Sequence, residues 1–191
     1  NGAAGIVVSK VGTYPIHRSE LLDLWHSYKH SVQSKPLYTK EEMKQLIAQW
    51  QNKGETVVFT NGCFDILHRG HITYLQEAAQ LGDHLIIGLN SDASVRRLKG
   101  ETRPIVREED RAALLSALRC IDGVVLFEED TPAELLAYLR PNTLVKGGDY
   151  KIEDIIGRES VDHVEVLSFK EGYSTSDIVG KIATMAKEGK L

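Results

Sequence analysis

The spacing of apolar positions changes near Gly54. Between residues 19 and 32 apolar side chains recur every three or four positions, which predicts an amphipathic helix. A second helix is predicted to begin with the capping box of Thr39 and Glu42 and to end at Gly54. The apolar faces of these two helices, within residues 16–53, need a partner, which is either the body of the protein or a second subunit.

After Gly54 short apolar runs alternate with helical patterns, as expected of strands and helices that follow one another. The runs that predict buried strands are residues 56–60, 84–89, 123–127, 143–146 and 164–167. Helices are predicted over 70–81 and 108–119, from the capping box and proline of 131–134 to Leu139, and after a Ser174 cap. This alternation predicts an α/β fold, a Rossmann-like doubly wound parallel sheet of five strands whose ligands bind at the carboxyl ends of the strands.

Composition narrows the class of protein. The 191 residues are 42% hydrophobic and 26% charged, which is typical of a globular domain with a small appendage. No apolar run approaches the roughly 20 residues that cross a bilayer, and the first residues do not resemble a secretory signal. Two cysteines are too few for a disulfide framework, so we expect a soluble cytoplasmic protein. The net charge of −4 argues against nucleic acid as a partner, but not against a small anion.

The densest chemistry lies in residues 60–71, directly after the first predicted strand and at the start of a helix. Backbone N–H groups and the helix dipole favour an anion there, and Gly70 lets a ligand approach closely. His68 and His71 bracket Gly70 and present two donors to one point, where they could stabilise charge on a phosphorus centre. A single histidine is more often structural, but the pair at this position favours function. Zinc is not predicted, because no Cys or further His lies at ligand spacing.

Basic residues are concentrated between the second and third strands. Lys99 precedes Gly100 near the strand ends, where it could bind a phosphate. For Arg96 and Arg97 a solvated surface is an equal alternative. Arg111, near a helix start, is unfavourable for the helix dipole, so either a functional role or a surface ion pair with Glu108 explains it.

Polar residues also follow the fourth strand. Lys146 ends this strand and points either into a site or outward to solvent, with the site favoured. The glycines after it, Gly147 and Gly148, would let the backbone approach a nucleotide. Asp149 either accepts hydrogen bonds from a sugar or caps the loop.

Two motifs carry a resemblance to a known group of enzymes. Gly62-x-Phe64-Asp65-x-x-His68-x-Gly70-His71 resembles the motif of the cytidylyltransferase-like nucleotidyltransferases, which have the HxGH nucleotidyltransferase fold. Residues 172–178, at the start of the last predicted helix, resemble the second motif of that superfamily and also form a helix cap. Phe169 stands where glycerol-phosphate and choline-phosphate cytidylyltransferases have an arginine, which makes those relatives less similar.

A closer resemblance is to the D-glycero-β-D-manno-heptose 1-phosphate adenylyltransferase family. It covers residues 55–183 and rests on blocks at 60–68, 90–94, 97–100, 127–132 and 144–150. Residues 1–22 resemble the closing segment of a ribokinase-type sugar kinase, which precedes the adenylyltransferase in bifunctional members. We therefore expect a kinase remnant over 1–22, a helical extension over 23–54 and a nucleotidyltransferase domain over 55–191.

This resemblance implies a reaction and a set of site residues. ATP and heptose 1-phosphate would give ADP-heptose, a lipopolysaccharide inner-core precursor, and pyrophosphate, with Mg²⁺ carried by the triphosphate. The residues expected to be catalytic are His68, His71 and Lys99. Those expected to bind ATP are Thr60, Asn61, Gly62, Phe64, Gly70, Arg111, Lys146, Gly147, Ser174 and Thr175. Those expected to bind the sugar phosphate are Asp65, Asn90 and Asp149.

Three alternatives remain open at this stage. A cytidylyltransferase for glycerol phosphate or another polyol or choline phosphate would use the same site with a different base and acceptor. A non-catalytic nucleotide-binding module would bind ATP without releasing pyrophosphate. A module like a class I aminoacyl-tRNA synthetase is least supported, because the chain is short and has no basic stripe.

Overall fold

A computed structural model describes Arg18, residues 37–168 and residues 174–190. The first predicted helix (19–32), the kinase-like segment (1–22) apart from Arg18, Phe169 and the residues 172–173 of the second motif lie outside the described residues. Among the helices that are described, none is long and apolar enough to cross a membrane.

Five parallel strands form one sheet, as the sequence predicts. They are β1 (Val57–Gly62), β2 (His84–Asn90), β3 (Gly123–Phe127), β4 (Thr143–Gly147) and β5 (His163–Leu167). Their order across the sheet is β3-β2-β1-β4-β5. The chain therefore runs outward from β1 in one direction and then returns to build β4 and β5 on the other side. This reversal places the topological switch point between β1 and β4, where α/β sheets bind their ligands.

Six described helices pack around this sheet. They are α1 (Lys40–Asn52), α2 (Arg69–Ala78), α3 (Asp92–Lys99), α4 (Glu108–Ser116), α5 (Ala133–Leu139) and α6 (Thr175–Lys187). The fourth ends three residues before its predicted end, because the chain tightens into turns from Leu115 to Ile121 before it enters β3. Short 3₁₀ turns at Ile152–Asp154 and Arg158–Ser160 were not predicted, since neither has an apolar period of its own.

Alternating strand residues divide the core into two layers. Val58 faces a layer with Leu75 of α2 and Leu115 of α4. Its neighbours Val57 and Phe59 face the opposite layer, which contains residues of α1 and α5. The sheet is therefore covered on both faces, which explains why its strands are continuously apolar.

The second predicted helix, α1, finds its partner on the body of the protein. Met43 and Ile47 lie four residues apart on one face of α1 and are fully buried in the second core layer. Burial of each side chain contributes roughly 1.5–3 kcal/mol, so α1 is an integral part of the described domain. The alternative of a second subunit is not needed for this helix.

Helix caps test the local predictions. The Thr39 hydroxyl accepts from the Glu42 N–H at 3.1 Å, and the Glu42 carboxylate accepts from the Thr39 N–H at 2.9 Å. This confirms the predicted capping box. At the predicted Thr131 box the outcome differs, because α5 begins at Ala133 with Pro132 as its N-cap and no side-chain cap. The carbonyl of Pro132 accepts the first helical hydrogen bond, which leaves Thr131 one residue outside the cap position.

Gly88, in the middle of β2, gives a test of core packing. A Cβ atom at this position would lie 2.5 Å from Cζ of the buried Phe59 ring. We expect Gly88→Ala to lower the free energy of unfolding by about 1–3 kcal/mol. The matched control is Gly180→Ala in α6, where a Cβ meets nothing within 4 Å and removal of a helical glycine stabilises by up to about 1 kcal/mol. Urea unfolding measures both changes, and equal stability of the two variants would contradict this packing.

Candidate active site

A cavity of about 490 Å³ opens at the carboxyl ends of β1 and β4. It exists because β1 and β4 separate there. The two strands pair only at Val58–Thr143 and Phe59–Leu144, whereas the pairing of β1 with β2 continues to Gly62. The lining comes from the ends of both strands, the start of α2, the end of α3 and the start of α6. Four separate segments of the sequence therefore meet at one point.

The histidine pair lies at the start of α2. His68 is the N-cap of α2, and its Nδ1 accepts a long hydrogen bond of 3.4 Å from the His71 N–H. The two rings stack with their centroids 3.8 Å apart, and the Phe64 ring meets the His71 ring edge-on at 5.3 Å. His71 lines the cavity, and the ring of His68 stacks on the His71 ring outside the lining. Because Nδ1 of His68 accepts, the proton of the neutral His68 ring is on Nε2.

Burial sets the protonation state of this pair. Burial and the neighbouring His68 lower the pKa of His71 to about 4, and burial also lowers the pKa of His68. Both rings are therefore neutral near pH 7 and can each donate one hydrogen bond. Within the described part of the chain, Nδ1 of His71 has no hydrogen-bond partner. An anion bound beside the pair would raise both pKa values, because it favours the charged form of the imidazole.

Three cationic side chains line the same cavity, two from the end of α3 and the loop after it and one from β4. Lys99 ends α3 and is exposed, Arg103 follows in the next loop, and Lys146 lies near the end of β4. Lys146 Nζ donates to Asn61 Oδ1 at 2.5 Å, and burial lowers the pKa of Lys146 to about 8. The ammonium group is thus held between β4 and β1, at the point where the two strands have separated. Three cations around one cavity favour a polyanionic ligand.

Asp65 fixes the loop that carries Arg103. Its Oδ1 accepts from the N–H groups of Ile105 and Val106 at 2.7 and 2.9 Å. Its Oδ2 lies 2.7 Å from Arg103 Nε. The carboxylate is almost fully buried, although it reaches the cavity lining. Oδ2 has this ion pair but no hydrogen-bond partner among the described residues, so the observed contacts make Asp65 an anchor of this loop, and its bonds to a sugar stay a prediction.

Arg111 does not occupy either of its predicted positions. Its side chain is fully buried and does not line the cavity. The guanidinium donates to the carbonyl of Val106 at 3.0 Å, to the carbonyl of Cys63 at 2.5 Å and to Asp92 Oδ1 at 2.7 Å. The predicted surface pair with Glu108 is therefore wrong, whereas the nucleotide contact stays a prediction that these contacts do not support. Arg111 therefore connects three separate segments of the chain, those of Val106, Cys63 and Asp92.

The start of α6 completes the lining. Thr175 and Ser176 reach the cavity, and Thr175 Oγ1 donates to the carbonyl of Ile66 at 3.4 Å. Ser174 caps the helix as predicted, since its hydroxyl accepts from the Asp177 N–H at 3.0 Å. Free N–H groups at a helix start and the hydroxyls beside them suit phosphate oxygens.

The family model described as Cytidylyltransferase-like matches residues 59–181, about two thirds of the chain. The chain belongs to the cytidylyltransferase-like family. This membership confirms the resemblance of the first motif and, with the five-stranded parallel sheet, the predicted fold class.

Similar proteins include longer ones. The chain is 48% identical over 182 residues to the "Bifunctional protein HldE" of Wolinella succinogenes and 50% identical over 182 residues to that of Campylobacter jejuni strain RM1221. Each match covers 95% of this chain and 38% of the relative, so the chain spans about two fifths of the length of these curated relatives. A crystal structure titled as the lipopolysaccharide core biosynthesis protein from Thermoplasma volcanium GSS1 is 32% identical, with a TM-score of 0.51. That match covers 63% of this chain and 100% of the other.

Within this cytidylyltransferase-like chain, the structure brings most of the predicted site residues to one cavity. Those in its lining are Asn61, Gly62, Phe64, Asp65, His71, Lys99, Lys146, Gly147 and Thr175. Gly70 and Ser174 are near the lining through their places at the starts of α2 and α6, whereas the exposed Asp149 is not part of it.

Two further predicted residues are turned away from the cavity of this family member. The fully buried Thr60 shares a hydrogen bond of 2.6 Å with the Tyr74 hydroxyl. It shares the β1 face of Val58, which is directed at α2. Asn90 is buried at the end of β2 and donates to Ser94 Oγ at 3.0 Å. Direct ligand contacts by these two side chains are therefore not supported.

Other lining residues were missed by the sequence reasoning. Tyr74 lies three residues after His71, so its place on the same helix face was a usable signal. Leu98 and Tyr150 also line the cavity and are largely exposed. Neither of them belongs to a regular apolar pattern that would have indicated a site.

Arg111 gives a test of the support behind the cavity. Arg111→Lys keeps the charge but cannot make three diverging hydrogen bonds, so buried acceptors lose their donors. We expect the free energy of unfolding to fall by about 2–3 kcal/mol. The control is Arg97→Lys, whose exposed ion pair with Asp130 makes a change of no more than about 0.5 kcal/mol. Urea unfolding followed by circular dichroism compares them, and a similar small change in both would show that the Arg111 contacts are unimportant.

Proposed function

We propose that this chain is an adenylyltransferase that transfers AMP from ATP to D-glycero-β-D-manno-heptose 1-phosphate, giving ADP-heptose and pyrophosphate. The observation that carries the proposal is the stacked pair of His68 and His71 at the start of α2, beside a cavity with three cationic side chains. This arrangement suits charge stabilisation at a phosphorus centre, and the cytidylyltransferase-like family supports nucleotidyl transfer. The choice of acceptor follows the sequence resemblance. It is supported by the relatives named bifunctional protein HldE and by the solved lipopolysaccharide core biosynthesis protein.

The reaction needs no covalent enzyme intermediate. A phosphate oxygen of the heptose 1-phosphate attacks the α-phosphorus of ATP, and the new P–O bond forms as the bond to the β-phosphate oxygen breaks. Pyrophosphate leaves with the electron pair of the broken bond. Catalysis then consists of positioning and of stabilising the charge that moves to the α-phosphate and to the leaving group. His71 is proposed as the direct donor, with the adjacent His68 as the second donor.

The three cationic side chains of the cavity are proposed to bind different substrates. Lys146, at the end of β4, would bind the triphosphate together with Thr175 and Ser176 at the start of α6. Lys99 and Arg103 would bind the phosphate of the acceptor, since both belong to one stretch of the chain, the end of α3 and the loop after it. The ion pair with Asp65 would then fix the position of Arg103. No nucleophile from the protein is required, and Cys63, although it reaches the cavity, has a pKa raised by burial.

Mg²⁺ is proposed to arrive with ATP as part of the substrate. Among the described residues no group of three or more His, Cys, Asp or Glu side chains is arranged to hold a metal ion. The carboxylate nearest the cavity, Asp65, is taken by two backbone N–H groups and Arg103. The ion would neutralise charge on the triphosphate, where phosphate oxygens and water supply its ligands.

The proposed setting is a longer cytoplasmic protein. The chain corresponds to 38% of relatives whose name is bifunctional, which supports fusion to a sugar kinase domain as the sequence resemblance implies. ATP as a co-substrate and the free thiols of Cys63 and Cys120 support a cytoplasmic location.

An assay of pyrophosphate release tests the function. The protein is incubated with MgATP or MgCTP and with heptose 1-phosphate, glycerol phosphate or choline phosphate. We expect release with ATP and heptose 1-phosphate and little with the other pairs. Release with CTP and a polyol phosphate would replace the proposal with the cytidylyltransferase alternative. ATP binding without pyrophosphate release from any acceptor would instead indicate a non-catalytic module.

The same assay tests the role of His71. His71→Ala is expected to lower turnover roughly a hundredfold or more, because it removes a donor from the developing charge. His163→Ala is the matched control, since His163 is exposed at the amino end of β5, away from the cavity edge of the sheet. Near-normal turnover of a folded His71→Ala protein would show that His71 is not a catalytic residue.

Lys146 predicts the pH dependence of the reaction. Its pKa of about 8 in the free protein means that the ammonium form is lost as the pH rises through 8. We expect kcat/KM for ATP to fall about tenfold per pH unit above that value. We expect kcat to fall less, because a bound triphosphate raises the pKa. Lys146→Arg stays charged and should remove this decline. An unchanged decline in that variant would assign the titration to another group.

A further inference from the structure

One side chain, Tyr74, lies at the point where β1 and β4 separate. The last residues that pair between these strands are Phe59 and Leu144. If the ladder continued in register, Thr60 would pair with Val145. In the structure this next pair is connected through the Tyr74 hydroxyl instead, which enters from α2.

The contacts of the Tyr74 hydroxyl are short and buried. It lies 2.6 Å from Thr60 Oγ1 and donates to the carbonyl of Val145 at 3.2 Å. Because a phenol carries one proton, the Thr60 hydroxyl is the donor in the shorter contact. Thr60 and Val145 are fully buried and Tyr74 is 7% exposed, so water does not replace these bonds. The three groups form one continuous bridge from β1 through α2 to β4, which we call the hydroxyl bridge.

The residues that follow this bridge belong to the site. Asn61 comes directly after Thr60 and Lys146 directly after Val145, and Lys146 Nζ donates to Asn61 Oδ1. Tyr74 is also one helical turn after His71 on α2. The hydroxyl bridge is therefore attached on one side to the helix that presents His71 and on the other to the strand that presents Lys146.

We propose that Tyr74 is a positioning residue, whose hydroxyl fixes the end of β4, and with it Lys146, relative to His71 on α2. Its effect on catalysis rests on the proposed function, which assigns Lys146 and His71 to the phosphates of ATP. The positional effect on Lys146 does not rest on that function. Tyr74 acts through Thr60 and Val145, so it is not a catalytic residue.

The alternative is that Tyr74 serves only as a ring in the core. Its ring packs in the layer that contains Val58, Leu75 and Val145. Tyr74→Phe keeps that ring and removes only the hydroxyl, so it separates the two roles. Thr60→Val removes the other hydroxyl with a similar side-chain shape, and Thr60→Ser retains it. Tyr138→Phe on α5 is the matched control, because Tyr138 is partly exposed and belongs to neither core layer.

Two measurements on each variant test the proposal. The first is the pKa of Lys146, followed by NMR of protein with isotopically labelled lysine. We expect Tyr74→Phe and Thr60→Val to move it from about 8 toward its ordinary value of about 10.4, because β4 relaxes and water reaches the ammonium group. The second is kcat/KM for ATP, which should fall about tenfold in both variants and no further when they are combined. Thr60→Ser and Tyr138→Phe should behave as the unmodified protein.

The outcomes that oppose the proposal are distinct. If Tyr74→Phe unfolds at a lower temperature while the pKa of Lys146 and kcat/KM stay unchanged, Tyr74 has only a packing role. If the two hydroxyl deletions have additive effects, they do not act as one bridge. If the unmodified protein releases no pyrophosphate, the proposed function fails, and the pKa of Lys146 still decides whether Tyr74 positions that residue.

Discussion

Strand β1 pairs with β2 along its whole length but with β4 over only two residue pairs, and most of what is functional in this structure follows from that difference. A parallel ladder that stops early leaves backbone polar groups at the separated ends, and these must find other partners. Here the side chains of Tyr74, Asn61 and Lys146 occupy the gap. The cavity is thus produced by the sheet topology. The starts of α2 and α6 are brought to its edge by the same topology.

The cavity depends on two buried charged side chains, of which Asp65 reaches its lining and Arg111 lies outside it. Arg111 and Asp65 each connect backbone groups of separate loops, and both are almost completely removed from solvent. A buried guanidinium or carboxylate is tolerated only when its hydrogen bonds are satisfied, so these two residues require one arrangement of the surrounding loops. Arg103, which pairs with Asp65, owes its position beside the cavity to this arrangement. The buried charges of Arg111 and Asp65 therefore order the loop that carries Arg103.

The fold could be predicted from the sequence because its signals are local. Continuous apolar strands, the Thr39 box and the Ser174 cap each depend on neighbouring residues. The resemblance to the family predicted His71, Asn61 and Lys146 as site residues, and the topology brings them to one cavity. Thr60, Asn90 and Arg111 show what could not be predicted. Their types suit ligand binding, but their direction depends on strand register and, for Thr60 and Arg111, on the partners Tyr74 and Cys63, which are 14 and 48 residues away. Sequence motifs identify the chemistry of a side chain, whereas long-range packing decides whether that side chain faces the cavity or the core.

The cap at the start of α2 makes the two histidines unequal. His68 uses Nδ1 to accept from the backbone, so a second proton on this ring would have to displace the bond that begins the helix. His71 is not constrained in this way, because its Nδ1 has no hydrogen-bond partner within the described residues. A neutral His71 can therefore carry its proton on either ring nitrogen, whereas the proton of the neutral His68 ring is confined to Nε2. Helix formation thereby fixes the tautomer of one imidazole and leaves that of the other to be set by whatever binds beside it.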